Sequence, residues 1–247
     1  MRKVILHYHL FKNAGTSVDA AFKKAFGTDK CSEKEFPNQR GLNHKGVREW
    51  IESSPNITYF SSHTALLPPP NIKGVEIFPI LFIRHPLDRI VSVYTFEKKA
   101  KHSNLGGILA NNTSLSGYIE VRLAINNDRS IRDFQTFRLS HMFASQEGSE
   151  LEHASKAIEN LPFIGLVDNF DASISELEDL LQKFGFDDLS LTPQHANISQ
   201  SENTTIDKRL ENFRERLGEG LLQRISSANE NDFIIYDMVK NLPRGDV

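Results

Sequence analysis

Apolar residues along this chain fall into short unbroken runs separated by longer stretches with a helical period. Residues 4–10, 57–61, 75–83 and 163–167 are runs of the first kind and predict buried strands. After the first run, Val18, Ala21, Phe22, Ala25 and Phe26 recur at helical spacing, and Gly27 sits where such a helix would stop. After the third run, Pro86 suits a first helical position, and Leu87, Ile90, Val91 and Tyr94 continue as a stripe. Ile174, Leu177, Leu180, Leu181 and Phe184 predict another helix, ended by Gly185. A helix is expected over residues 45–53, a long amphipathic one over 206–229, and a last one running through Tyr236. Residues 28–45 are polar and predict a loop, Pro68-Pro69-Pro70 enforces an extended stretch, and residues 101–148 predict helices joined by loops.

Strands alternating with helices, and strands apolar on both faces, predict an α/β fold of three layers. A mainly parallel central sheet would be flanked by helices, in one domain spanning residues 1–247. Composition adds little: 39% hydrophobic and 25% charged residues are those of an ordinary globular chain. The net charge of −3, with no basic aromatic-rich stretch, argues against a nucleic-acid partner. The single cysteine, Cys31, excludes a disulfide framework and a cysteine-based zinc cluster, and no other metal-ligand spacing is visible. The apolar run after Arg2 and Lys3 is too short for a signal-peptide core, and no run approaches about twenty apolar residues, so the expected location is cytoplasmic with no transmembrane segment.

Two strand-to-helix junctions carry chemistry. The first reads His9-Leu10-Phe11-Lys12-Asn13-Ala14-Gly15-Thr16-Ser17. Amides at a helix start lack intrahelical acceptors, the helix dipole adds positive charge, and small residues let an anion approach. Thr16 and Ser17 add hydroxyls and Lys12 a full charge, so residues 12–17 predict an anion cradle. It is not a Walker A loop, whose lysine follows its last glycine, because Lys12 precedes Gly15. At the second junction Arg84 leaves a strand at its carboxyl end, where ligands of open α/β sheets bind, and can grip a phosphate with its fork of donors. Ser92 lies two turns into the following helix; for Arg89 an ion pair with a carboxylate is the expected role.

Together these segments resemble the sulfotransferases that use 3′-phosphoadenosine-5′-phosphosulfate (PAPS), in the branch that includes the heparan sulfate 2-O- and 6-O-sulfotransferases and bacterial relatives. HLFKNAGTS is similar to that branch's HxPKTGGTS, and RHPLDRIVSVY to its RxPxxRxxSxY. Downstream, residues 133–139 resemble NxQTRxL, residues 162–173 resemble FVGLTERFDES, Asn197-Ile198-Ser199 resembles an Asn-x-Ser/Thr element, and residues 232–236 resemble DxxLY. Phe11 departs from the usual proline, Asn13-Ala14 from Thr-Gly, and His85 from an acid.

The resemblance implies a sulfuryl transfer from PAPS to a hydroxyl-bearing acceptor, a carbohydrate in that branch, without a metal. It places the 5′-phosphosulfate on Lys12, Asn13, Ala14, Gly15, Thr16 and Ser17, and the 3′-phosphate on Arg84 and Ser92. Residues 197–205 would close on the nucleotide. Lys12 would neutralise the leaving phosphate, and His63, in a stretch similar to the one that supplies the family's base, would take the acceptor proton. His9 is expected to hydrogen-bond structurally, with His141, His195 and Glu97 as weaker alternatives for the base. Gln135 and Arg138 either line the acceptor cleft or, for the arginine, form a structural ion pair. Two other readings stay open: a P-loop kinase, disfavoured by the lysine's position, and a non-catalytic relative that binds a nucleotide or glycan.

Overall fold

The structure, a computed structural model, describes residues 1–100, 103–196 and 205–243. Its elements run β1 (Arg2–Tyr8), α1 (Gly15–Phe26), β2 (Cys31–Glu33), α2 (Arg40–Ser53), β3 (Tyr59–Ser62), β4 (Val75–Ile83), α3 (Pro86–Ala100), α4 (Leu105–Asn112), α5 (Leu115–Ala124), α6 (Phe134–Ser140), α7 (Glu150–Asn160), β5 (Ile164–Leu166), α8 (Phe170–Phe184), α9 (Ile206–Leu217), α10 (Glu219–Ser227) and α11 (Glu230–Lys240). The five strands form one sheet in the order β2-β3-β1-β4-β5, and every pairing is parallel.

Alternation along β1 sorts the core into layers. Val4, Leu6 and Tyr8 point to one face, where Trp50 and Ile51 of α2, Ala154 and Ile158 of α7, and Ile235 and Val239 of α11 cover them. Ile5 points to the other face, among Val18 and Phe22 of α1 and Ile174, Leu177 and Leu181 of α8. A third apolar cluster joins α3, α4, α5, α9 and α10 beside the sheet.

The expected strands and helices are present, with three differences. The polar stretch over 28–45 contains β2, an edge strand of three residues paired with β3, too short to leave a periodic signal. Helix α2 begins at Arg40, ahead of the expected residue 45. The expected long helix over 206–229 is two, because Gly218 takes φ 72° and ψ 163° and turns the chain between α9 and α10.

A polar clasp ties the C-terminal helix to the middle of the chain. Asp232 of α11 is fully buried and accepts hydrogen bonds from the Gln135 amide (3.2 Å), the Thr136 amide (2.7 Å) and the Thr136 hydroxyl (2.8 Å) at the start of α6. The carboxylate serves the orphan amides of that helix from another element. Asp232→Ala would leave three buried donors without an acceptor, and is expected to cost about 3 kcal/mol of unfolding free energy, read from the urea midpoint.

Candidate active site

The carboxyl ends of four parallel strands open onto one cavity of about 750 Å³. His9 follows β1, His63 follows β3, Arg84 follows β4, and Val167 and Asp168 follow β5; all border it. Of the residues singled out in the sequence, Lys12, Ala14, Gly15, Thr16, Ser17, His63, Arg84 and Ser92 line this cavity. Asn13 does not: its side chain is buried and donates to the Phe82 carbonyl (2.8 Å) and to Gln135 Oε1 (2.7 Å). It anchors the loop from behind.

The loop between β1 and α1 curls because Lys12 and Ala14 both adopt positive φ, 66° and 59°. Left-handed residues in a short loop turn successive amides toward a common centre, as anion-binding nests do. Each non-glycine residue held there costs roughly 1–3 kcal/mol, so the loop's shape is imposed by its surroundings. Gly15 is required for a different reason: a Cβ there would lie 1.9 Å from His9 Cδ2. Ser17 Oγ accepts from the Ala196 amide at 3.1 Å. The Lys12 ammonium stands 4.7 Å from the centre of the Phe96 ring, which meets Phe11 edge-on.

Arg84 is oriented by α3. Its Nε donates to Asp88 Oδ2 at 2.7 Å, and one terminal nitrogen donates to the Lys12 carbonyl at 3.3 Å. Asp88 also receives Arg209 of α9, at 2.9 and 3.2 Å. Burial alone would raise the Asp88 carboxyl, but the two guanidiniums outweigh it and hold it below the usual carboxylate range. Arg209 borders the cavity as well.

His63 is fixed from two sides. Its Nδ1–H donates to the His9 carbonyl (3.1 Å), since a carbonyl can only accept, which leaves Nε2 as the bare nitrogen. The imidazole lies 3.7 Å from that of His9, centre to centre. Burial, then the neighbouring His9, hold its pKa below the ordinary histidine value. Arg138 of α6 donates to the carbonyls of His63 (3.1 Å) and Ala65 (2.8 Å).

Behind His63 lies a buried network. Asp19 of α1 accepts from His7 Nδ1 (2.9 Å) and the Tyr59 hydroxyl (2.6 Å) on one oxygen, and from His9 Nδ1 (3.0 Å) on the other. Burial would raise this carboxyl, yet hydrogen bonds from His7 and His9 take it well below its usual range. His7, His9 and Asp19 are the one group among the described residues whose atoms converge as metal ligands do. In this structure the three side chains are joined to one another, and to Tyr59, by hydrogen bonds.

The remaining sequence-level alternatives lie elsewhere. Glu97 is buried on Tyr118 (2.5 Å) and Arg122 (3.0 Å), and His141 donates to the Phe137 carbonyl (2.7 Å); neither borders the cavity. His195 does, paired with Asp171 at 3.0 Å. Gln135 and Arg138 stand behind the site, and Arg138 holds carbonyls where an ion pair was the alternative. Arg89, expected in an ion pair, is fully buried, donates to the Ser130 carbonyl and stacks on Phe134. Most of the segment expected to close on the nucleotide, with Asn197-Ile198-Ser199, lies outside the described residues. Asp19, Asp88 and Arg209 carried no motif. The Arg84–Asp88 spacing of four within a helical stretch was the available clue to one of them.

Burial is the first cause that holds His9, His63, His85 and His141 below the ordinary histidine value. Such groups bind fewer protons folded than unfolded. Their stability contribution is complete above the unfolded value of about 6.5 and is lost as pH falls through it toward the folded values. Asp19 acts lower, losing its contribution only as pH falls below about 4. The urea midpoint is therefore expected to drop between about pH 7.5 and about pH 5.5, and His63→Gln should flatten that slope.

A family model described as "Sulfotransferase family" matches residues 1–238. An uncharacterized protein of Archaeoglobus fulgidus is 34% identical over 250 residues, covering 98% of this chain and 97% of its own length. With a family match over nearly its whole length, and with Lys12, Arg84 and His63 gathered around one cavity at the carboxyl ends of its parallel strands, this chain belongs to the sulfotransferase family.

Proposed function

We propose that this sulfotransferase takes its sulfuryl group from PAPS and delivers it to a hydroxyl of a carbohydrate acceptor. The observation that carries this reading is the convergence of Lys12, the first turn of α1, Arg84, Ser92 and His63 on a single cavity. The two strands flanking β1 end in Ser62-His63 and Ile83-Arg84. Neither ends in an acid placed to hold magnesium beside the cradle, which speaks against the kinase reading.

The residues divide the work by position. Amides at the start of α1 and the Thr16 hydroxyl hold the 5′-phosphosulfate oxygens, and Lys12 moves from the Phe96 face onto the bridging oxygen. Arg84, already oriented by Asp88, and Ser92 receive the 3′-phosphate. His63 Nε2 accepts the proton of the acceptor hydroxyl as that oxygen bonds to sulfur. The sulfur–oxygen bond to the 5′-phosphate breaks, and its electron pair leaves on that phosphate, where Lys12 meets the charge.

Calorimetry with 3′-phosphoadenosine-5′-phosphate (PAP), without metal, tests the donor assignment. PAP should bind and 5′-AMP should not, and Ser92→Ala should weaken PAP about tenfold. Binding of ATP in place of PAP would sink the assignment. Lys12→Ala is expected to lower transfer about a hundred- to thousandfold and to weaken nucleotide binding. His63→Ala should lose a comparable factor in transfer while PAP affinity stays put. Because the His63 pKa is lowered, transfer should fall on the acid side with an apparent pKa under about 6.5 and stay level through neutrality; a normal rate in His63→Ala would remove it as the base.

A further inference from the structure

The donor site just proposed has two cationic side chains from its motifs, Lys12 and Arg84. The structure brings a third basic group to the same place. His9 ends β1, is buried, and borders the cavity. Its Nδ1–H is held by Asp19, which fixes the ring and leaves Nε2 on the opposite side. That side lies against the first residue of α1, where a Cβ on Gly15 would come within 2.1 Å of Nε2. The nitrogen thus stands beside Gly15, the first residue of the helix whose N-terminus borders the cavity.

We propose that His9 is part of the donor site: its Nε2 meets the negative charge of the 5′-phosphosulfate or 5′-phosphate beside Gly15, and nucleotide binding brings one proton from solvent onto that nitrogen. This rests on the donor reading given above. The balance is simple: one N–H bond forms at Nε2, the proton comes from water or buffer, and no other bond changes.

The surroundings set both ends of this equilibrium. In the free protein, burial, opposed in part by the Asp19 hydrogen bond, keeps the ring neutral near neutral pH. His7, stacked at 5.2 Å, opposes a charge on His9; Glu33 of β2 favours it, as does Asp19 of α1. From β3, Tyr59 shares the Asp19 carboxylate and His63 lies against the ring. The cavity also holds Lys12, Arg84 and Arg209, which oppose a further cation, and Asp168 and the His195–Asp171 pair. A bare nitrogen lone pair facing an anion is repulsive, whereas an N–H facing it is a charge-assisted hydrogen bond. The bound anion therefore tips His9 to the imidazolium, and Asp19 becomes its buried counter-ion. A cation there also disfavours a charge on His63, keeping that imidazole bare for the acceptor proton.

The experiment is nitrogen-15 NMR of histidine-labelled wild-type protein at about pH 8, with and without PAP. At that pH both phosphomonoesters of PAP are dianionic, their pKa values lying near 6, so proton uptake belongs to the protein. His9 Nε2 should move from the bare to the protonated shift on PAP addition. Calorimetry in buffers of different ionisation enthalpy should count more than about half a proton taken up per PAP bound. His9→Gln should lose that uptake and bind PAP about tenfold more weakly. PAP binding with His9 Nε2 still bare would overturn the proposal and leave the donor reading standing. Absence of PAP binding to the wild-type protein would overturn both.

Discussion

Gln135 uses its side-chain amide to hold the loop between β1 and α1 and the junction between β4 and α3 together. Its Oε1 accepts from Asn13 Nδ2 at 2.7 Å and from the Arg84 amide at 2.8 Å, and its Nε2 donates to the Arg84 carbonyl at 2.9 Å. The residue is fully buried, so these bonds face no competition from water. The cradle loop and the β4–α3 junction are thereby set at one fixed separation. In the donor reading proposed above, that separation is the span one nucleotide would have to bridge. Arg138, on the same helix, fixes the His63 segment, and Asp232 fixes the helix itself.

The sheet, its parallel sense and the two junction motifs were legible in the sequence, because each rests on local pattern. Apolar runs mark buried strands, and small residues before a helix mark an anion site. The short matches near residues 133–139, 162–173 and 232–236 looked weak singly. In the fold they lock into one another: Asp232 caps the helix that carries Gln135, and the Tyr236 hydroxyl donates to Asp168 at 3.0 Å. What the sequence did not display were partnerships between distant segments. Arg209 meets Asp88 across 121 positions, and nothing local to α9 announces it. Nor does a three-residue edge strand carry enough residues to show a period.

The loop between β1 and α1 illustrates how a family pattern can change while the backbone keeps its turn. Ala14 stands where glycine is usual in the resembling motif, yet it takes the left-handed geometry with φ 59°. The cost of placing a Cβ there is roughly 1–3 kcal/mol. It is offset by anchors on both sides: Asn13 bound to β4 and to Gln135, and the Ser17 and Val18 amides bound to the Ala14 carbonyl. Gly15 leaves no such latitude, because the His9 ring occupies the space of its missing side chain. Backbone conformation can be paid for by neighbours, but occupied volume cannot.

The Asp232 clasp also sets an order of events during synthesis. β1 and the loop after it are translated well before α11. The carboxylate that caps α6, and so steadies the bridge between cradle and arginine, comes from the last helix. A nascent chain therefore lacks the cap on α6, and with it the steadied separation of the β1–α1 loop from Arg84, until α11 has left the exit tunnel.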